Sequence, residues 1–274
     1  NEAIDIVGTG GSGTGSYNIS SVSALIVAAA GVKVLKHGNR AITSNSGSAD
    51  FLSTLGLTIQ SDPKILQASV RELNFCFFFA PQFHPAFKHI VPVRKSLAAR
   101  GQRTVFNILG PLINPAQPKR QLLGVFAPEW VRPLAETLTN LGIQRGIAVS
   151  SIISDGVSVD EFSVAGRNTV AGIGQLASID EVWSPDYLHV SQCDFEEIKG
   201  GSPEDNVRTL YQLLEGGGPA GLIDTICLNA GAALWIAEKC PDLAAGCIEA
   251  RRILREGDLK IWLDRALDFY RELN

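Results

Sequence analysis

The sequence has 274 residues, of which 45% are hydrophobic and 19% charged, with a formal net charge of −4. That composition excludes a disordered, collagen-like or low-complexity chain, and the length fits one large α/β domain or two modest ones. The acidic balance argues against a wholesale electrostatic grip on nucleic acid. The most apolar runs, residues 24–30 and 75–81, are far shorter than the about 20 residues of a bilayer span. Five cysteines with no C-x-x-C pair read as buried thiols in a reducing compartment, which predicts a soluble, cytoplasmic protein.

Residues 3–7 predict a short apolar strand that runs into a glycine turn. An Ala-rich helix follows to residue 30, capped by Ser20 or Ser21 and stopped by Gly31, and residues 32–35 predict a second strand. This β-loop-α-β order is the unit of a parallel sheet. Residues 47–55 predict a helix ending at Gly56, and Asp62-Pro63 opens another. Residues 74–80, rich in Phe, predict a strand buried on both faces. A helix over 84–97 follows, then a punctuated loop to Pro115. Strands over 122–126 and 146–153 flank a helix over 128–141, and three helices follow at 204–214, 222–239 and 243–256.

Residues 7–15 place five glycines and three hydroxyl side chains between a strand and a helix. Glycines let backbone N–H groups approach an anion, and the helix N-terminus adds positive potential. Asn18 and Ser20 stand at the same spot, so a phosphate or pyrophosphate cradle competes with a plain tight turn. No Gly-Lys-Ser/Thr follows, which excludes a Walker loop. Lys36, after the second strand, is either a phosphate-binding point charge or part of a solvated basic turn. Ser44, Ser46, Gly47 and Ser48 offer a second anion cradle. Asp160-Glu161 is an oxygen donor pair suited to Mg²⁺, or merely a solvated acidic pair. Arg94, ten residues after His84, is a bidentate partner for a carboxylate, whereas His84 alone reads as a core or helix-start histidine. Residues 104–115 read as a rigid structural loop.

Taken in order, these stretches resemble the anthranilate phosphoribosyltransferase family. The resemblance rests on Asp5-Ile-Val-Gly-Thr-Gly-Gly11, Asn18-Ile-Ser-Ser21, Lys36-His-Gly-Asn-Arg40, Ser46-Gly-Ser-Ala-Asp50, Phe77-Phe-Phe-Ala-Pro81, His84-Pro-Ala86, residues 104–115, Asp160-Glu161 and Leu228-Asn-Ala-Gly231. It implies transfer of the phosphoribosyl group of phosphoribosyl pyrophosphate to the amine of anthranilate, in tryptophan biosynthesis, with release of pyrophosphate. It assigns Gly8, Thr9, Gly10, Gly11, Asn18, Ser20, Lys36, Asn39 and Ser48 to phosphoribosyl pyrophosphate. It assigns Gly8, Asn39, His84, Arg94 and Gly110 to anthranilate, and Ser20, Asp160 and Glu161 to Mg²⁺. No side-chain nucleophile is implied.

The implied fold is α/β: a large domain with a mainly parallel sheet flanked by helices, plus a small helical domain. Residues 1–61 and 101–274 would form the large domain, and residues 62–100 would contribute in part to the small one. The small domain's N-terminal helices are missing before Asn1, so a truncated chain is expected. The resemblance further implies a homodimer, with no membrane or nucleic-acid partner.

Ser12 departs from the family pattern, as do Ser154-Asp155 and a long link over 95–103. These departures keep open a paralogue with another acceptor. A pyrimidine nucleoside phosphorylase is disfavoured by the motifs at 36–40 and 84–86. A non-catalytic nucleic-acid-binding relative is disfavoured by the intact glycine loop and the net charge of −4.

Overall fold

A computed structural model describes residues 2–41, 45–98, 100 and 104–273, without the side chains of residues 87, 88, 91, 94, 95 and 98. Strand β1 (Ile4–Gly8) is buried on both faces, with Ile4 and Ile6 on one and the carboxyl of Asp5 beside Val7 on the other. It leads through the glycine loop into α1 (Ile19–Ala29), a helix buried almost all round. Then come β2 (Val34–Gly38), α2 (Ser48–Leu55), α3 (Pro63–Leu73), β3 (Phe75–Phe79), α4 (Ala80–Phe83) and α5 (Val91–Ala98). Strand β4 (Arg120–Gly124), α6 (Val131–Asn140) and β5 (Arg145–Ser154) complete a parallel set. The chain continues through β6 (Val157–Val159), β7 (Arg167–Gly174) and β8 (Asp180–Trp183) to α7 (Pro203–Leu214), α8 (Ala220–Ile236), α9 (Leu243–Arg255) and α10 (Asp258–Arg271).

The sheet order is β3-β2-β1-β4-β5-β7-β8, with β6 paired to β5. The strands from β3 to β5 are parallel, and β6, β7 and β8 join antiparallel. The chain steps from β1 outward to β2 and β3, then returns to β4 on the other side. The order therefore reverses between β1 and β4, and a crevice opens outside their carboxyl ends. One large core, including α1, α8, α9 and α10, packs beneath the sheet, and a smaller one packs under α6.

Of the segment 62–100, α3 and β3 belong to this sheet layer, with Trp262 Nε1 of α10 donating to Leu73 O at 2.8 Å. No described helix is long and apolar enough to cross a membrane. Cys76 and Cys227 are buried, whereas Cys193, Cys240 and Cys247 are half-buried, and all five thiols are free.

Several sequence expectations are corrected. Helix α1 begins at Ile19, so Asn18 takes the N-cap position in place of Ser20 or Ser21. Strand β2 starts and ends later than expected, because pairing to β3 draws Lys36 and His37 into the sheet. The helix expected over 84–97 breaks into a 3₁₀ turn (Pro85–His89) and α5, since Pro92 lacks the N–H that a continuous helix needs there. Strands β6, β7 and β8 and helix α10 are additions to the expected elements. Most of β8 is exposed and polar, which hides a strand pattern, and α10 is strongly charged on one face.

Candidate active site

The β1–β4 crevice holds a cavity of about 360 Å³, lined among others by the glycine loop, Lys36, His84, Gly110, Asp160 and Glu161. Gly10, Gly11, Gly13 and Gly15 all have positive φ, a conformation that would strain other residues, so the loop turns its backbone inward. Gly10 N donates to Asp160 Oδ2 at 2.7 Å, joining the loop to the acidic pair. The Thr9 hydroxyl accepts from Phe126 N at 3.0 Å and donates to Gly10 O at 3.2 Å, so it ties the loop to the residues after β4.

Lys36 is fully buried, which rules out the solvated-turn alternative. Its ammonium donates to Ile6 O and, at 3.3 Å, to Ser20 Oγ. Burial lowers its pKa, while the carboxylates of Asp5 and Glu161 oppose that shift. Burial and the charge of Asp160 push Glu161 up to about 8, against the pull of Lys36 and of hydrogen bonds from Ser20. Ser20, Asp160 and Glu161 thus bring a hydroxyl and two carboxyl groups to one cavity. That donor set fits Mg²⁺, which would favour ionised Glu161. The acidic pair is therefore not the solvated surface pair its sequence alone allowed.

Asp160 sits where it does because β1 and β4 end in glycine. A Cβ on Gly124 would lie 1.6 Å from Asp160 O, and one on Gly8 would lie 2.4 Å from Asp160 Oδ2. Behind the pair, Asn229 of α8 brackets the next peptide: its Oδ1 accepts from Phe162 N at 3.1 Å and its Nδ2 donates to Phe162 O at 2.8 Å. Ser151 Oγ donates to Glu161 O at 2.8 Å. Gly124 and Asn229 were not among the predicted site residues. The Leu228–Gly231 motif was the visible signal for Asn229.

At the other end of the cavity, His37 and His84 meet edge-to-face at 5.2 Å. His37 is another residue the sequence reading did not assign. Its Nδ1 donates to Gly110 O at 3.0 Å, and burial pushes its pKa down to about 4, so the ring is neutral. Burial also lowers the pKa of His84. The loop over 104–115 forms two 3₁₀ turns that line the cavity, so it is more than a spacer. It is anchored by Asn114, which donates to Asp5 Oδ2 and Leu35 O, both at 2.8 Å.

Asn39 and Ser48 lie between the two ends, with Ser48 Oγ donating to Asn39 O at 3.3 Å. Ser46 and Gly47 also line the cavity, whereas Ser44 lies outside the described residues. The Arg94 side chain also lies outside them, as does part of the 95–103 link. Ser12 borders the cavity, but Ser154 and Asp155 lie at an exposed hairpin end and do not line it.

The crevice thus sets a glycine-rich loop and a buried lysine beside an acidic pair at the carboxyl ends of a parallel sheet, the arrangement of an α/β transferase. The chain belongs to the glycosyl transferase family, a/b domain, whose model matches residues 1–259. Among its relatives is the anthranilate phosphoribosyltransferase of Thermus thermophilus, 43% identical over 98% of this chain and 78% of the relative. That of Brucella suis biovar 1 is 43% identical over 93% of this chain and 73% of the relative. The solved Thermus thermophilus enzyme superposes with a TM-score of 0.88 at 42% identity, covering 99% of this chain and 78% of that one. The Saccharomyces cerevisiae enzyme, solved in complex with phosphoribosyl pyrophosphate and Mg, superposes with a TM-score of 0.83 at 29% identity, covering 98% of this chain and 74% of that one.

Proposed function

We propose that this chain is an anthranilate phosphoribosyltransferase, joining the ribose C1 of phosphoribosyl pyrophosphate to the amine of anthranilate and releasing pyrophosphate. The observation that carries this reading is buried Lys36, set between the glycine loop and the Asp160–Glu161 pair in one cavity. Gly8, Thr9, Gly10, Gly11, Asn18, Ser20, Lys36, Asn39 and Ser48 hold the phosphates and ribose. Gly8, Asn39, His84, Arg94 and Gly110 serve the acceptor, joined by His37. Ser20, Asp160 and Glu161 hold Mg²⁺, which supplies charge neutralisation for the departing pyrophosphate.

Transfer through a cationic sugar needs positioning and electrostatic stabilisation rather than a protein nucleophile. The glycine-loop amides and Lys36 hold the leaving group, while neutral His37 and His84 leave the acceptor amine free of a competing charge. The short helices over 80–98 belong with a small helical domain whose closure excludes water. A cytoplasmic homodimer completes this reading, with light scattering as the measure of assembly.

The test is pyrophosphate release with Mg²⁺, using anthranilate and a panel of aromatic amines. Anthranilate is the best acceptor, Lys36→Ala and Glu161→Ala abolish most turnover, and Arg94→Ala raises the acceptor KM. Release with another amine only would move the chain to a paralogue, the reading that the Ser12 departure favours. Release with none would overturn the proposal.

A further inference from the structure

Asn206, on the first turn of α7, is fully buried behind the site and was not among the predicted site residues. Its Oδ1 accepts from Gly201 N at 2.8 Å, and its Nδ2 donates to Asn18 Oδ1 at 2.8 Å. Its own backbone oxygen accepts from Tyr17 Oη, also at 2.8 Å. Asn18 Oδ1 receives a second donor, Ser46 Oγ at 2.8 Å, and Asn18 Nδ2 donates to Ser46 O at 3.2 Å.

A side-chain amide has two lone pairs and two N–H groups. Both lone pairs of Asn18 are occupied and one N–H is committed, which leaves its second N–H for the cavity that Asn18 lines. The orientation of this hydrogen-bond chain is not arbitrary. It starts at the Gly201 backbone N–H, which can only donate. Asn206 must therefore turn its oxygen to Gly201 and its nitrogen to Asn18, and Asn18 must turn its oxygen away from the cavity.

We propose that Asn206 is a positioning residue for the anionic substrate, which acts through Asn18: together with Ser46 it holds the amide so that an N–H, rather than a C=O, faces the phosphate site. This inference rests on the proposed function. It extends the binding machinery by one layer, to a helix that itself makes no wall of the cavity.

The test is calorimetric binding of phosphoribosyl pyrophosphate with Mg²⁺, together with steady-state kinetics and thermal melting. In Asn206→Asp the new carboxylate still accepts from Gly201 but cannot donate, so the Asn18 oxygen meets the carboxylate if the amide stays as it is and meets Ser46 O if it flips; either way the amide is displaced and its N–H leaves the phosphate site. Binding then weakens about tenfold to a hundredfold, the scale of a hydrogen bond to a charged group, while the KM for anthranilate at saturating co-substrate stays within about twofold of wild type. Asn206→Leu keeps a similar volume without a buried charge and is used if the first variant does not fold; it weakens binding in the same direction. In an Asn18→Ala background, either Asn206 change adds nothing further, because the residue through which it acts is gone. A folded Asn206 variant that binds as wild type, or one whose effect persists undiminished in Asn18→Ala, overturns the proposal. Wild-type protein that binds no phosphoribosyl pyrophosphate overturns the functional reading instead, and the relay with it.

Discussion

Gly124→Ala is expected to damage the site from beneath, without changing any group that lines the cavity. The added methyl would stand 1.6 Å from Asp160 O and 2.4 Å from its carbonyl carbon. Both partners are backbone, so no side-chain rotation relieves the clash. The Asp160 peptide must retreat by about 1.4 Å merely to reach 3.0 Å, still inside ordinary van der Waals contact. A retreat of that size disrupts the 2.7 Å bond from Gly10 N to Asp160 Oδ2, so the glycine loop and the acidic pair separate. Overpacking of this kind costs about 1–3 kcal/mol, which lowers the Tm by several degrees in a domain of this size. A misplacement of about 1 Å in a reacting geometry can lower kcat about a hundredfold. The assay is pyrophosphate release against Mg²⁺ concentration, paired with thermal melting. Gly217→Ala is the control, since its added carbon meets Gln212 O at an ordinary 3.4 Å. A Gly124→Ala protein with wild-type Tm and wild-type Mg²⁺ dependence would refute the close-packing argument.

Asn229→Ala removes three buried hydrogen bonds, two to Phe162 and one to Thr225 O at 2.8 Å. At about 1 kcal/mol each, with Phe162 N–H and C=O left unpaired, urea unfolding should show a loss of about 2–4 kcal/mol, and a loss below about 1 kcal/mol would mean that water replaces the bracket. His37 titrates near 4 in the folded protein and near 6.5 when unfolded. Between these values the unfolded chain binds more protons, so its contribution destabilises the fold as pH falls from 6.5 to 4 and vanishes above that window. The stability difference between wild type and His37→Asn should therefore change by about 3 kcal/mol across the window. Parallel pH–stability curves for the two proteins would show that His37 is not buried as described.

Much of this protein was legible along the chain. The strand, glycine loop and helix of residues 4–29 follow from an apolar run, five closely spaced glycines and an Ala-rich stretch, all local signals. The motifs from Asp5 to Gly231 identified the family because their order survives without any structure. Local pattern failed where neighbours distant in sequence decide the outcome. Lys36 left a solvated basic turn open as an alternative, and only pairing of β2 with β1 and β3 buries it against Ile6 and Ser20. Asp160-Glu161 looked like other acidic pairs until the glycine ends of β1 and β4 admitted its backbone.

The sequence by itself determined the family, through the order of its motifs. The tertiary structure alone decided the protonation and orientation of the residues in the crevice: neutral His37, Glu161 shifted upward, and an Asn18 amide aligned by Asn206. Charge state depends on burial and on through-space neighbours, and amide direction depends on a hydrogen-bond chain that spans 188 residues of sequence between Asn18 and Asn206. Neither quantity has a local signature, because both arise only when the crevice closes around the side chains.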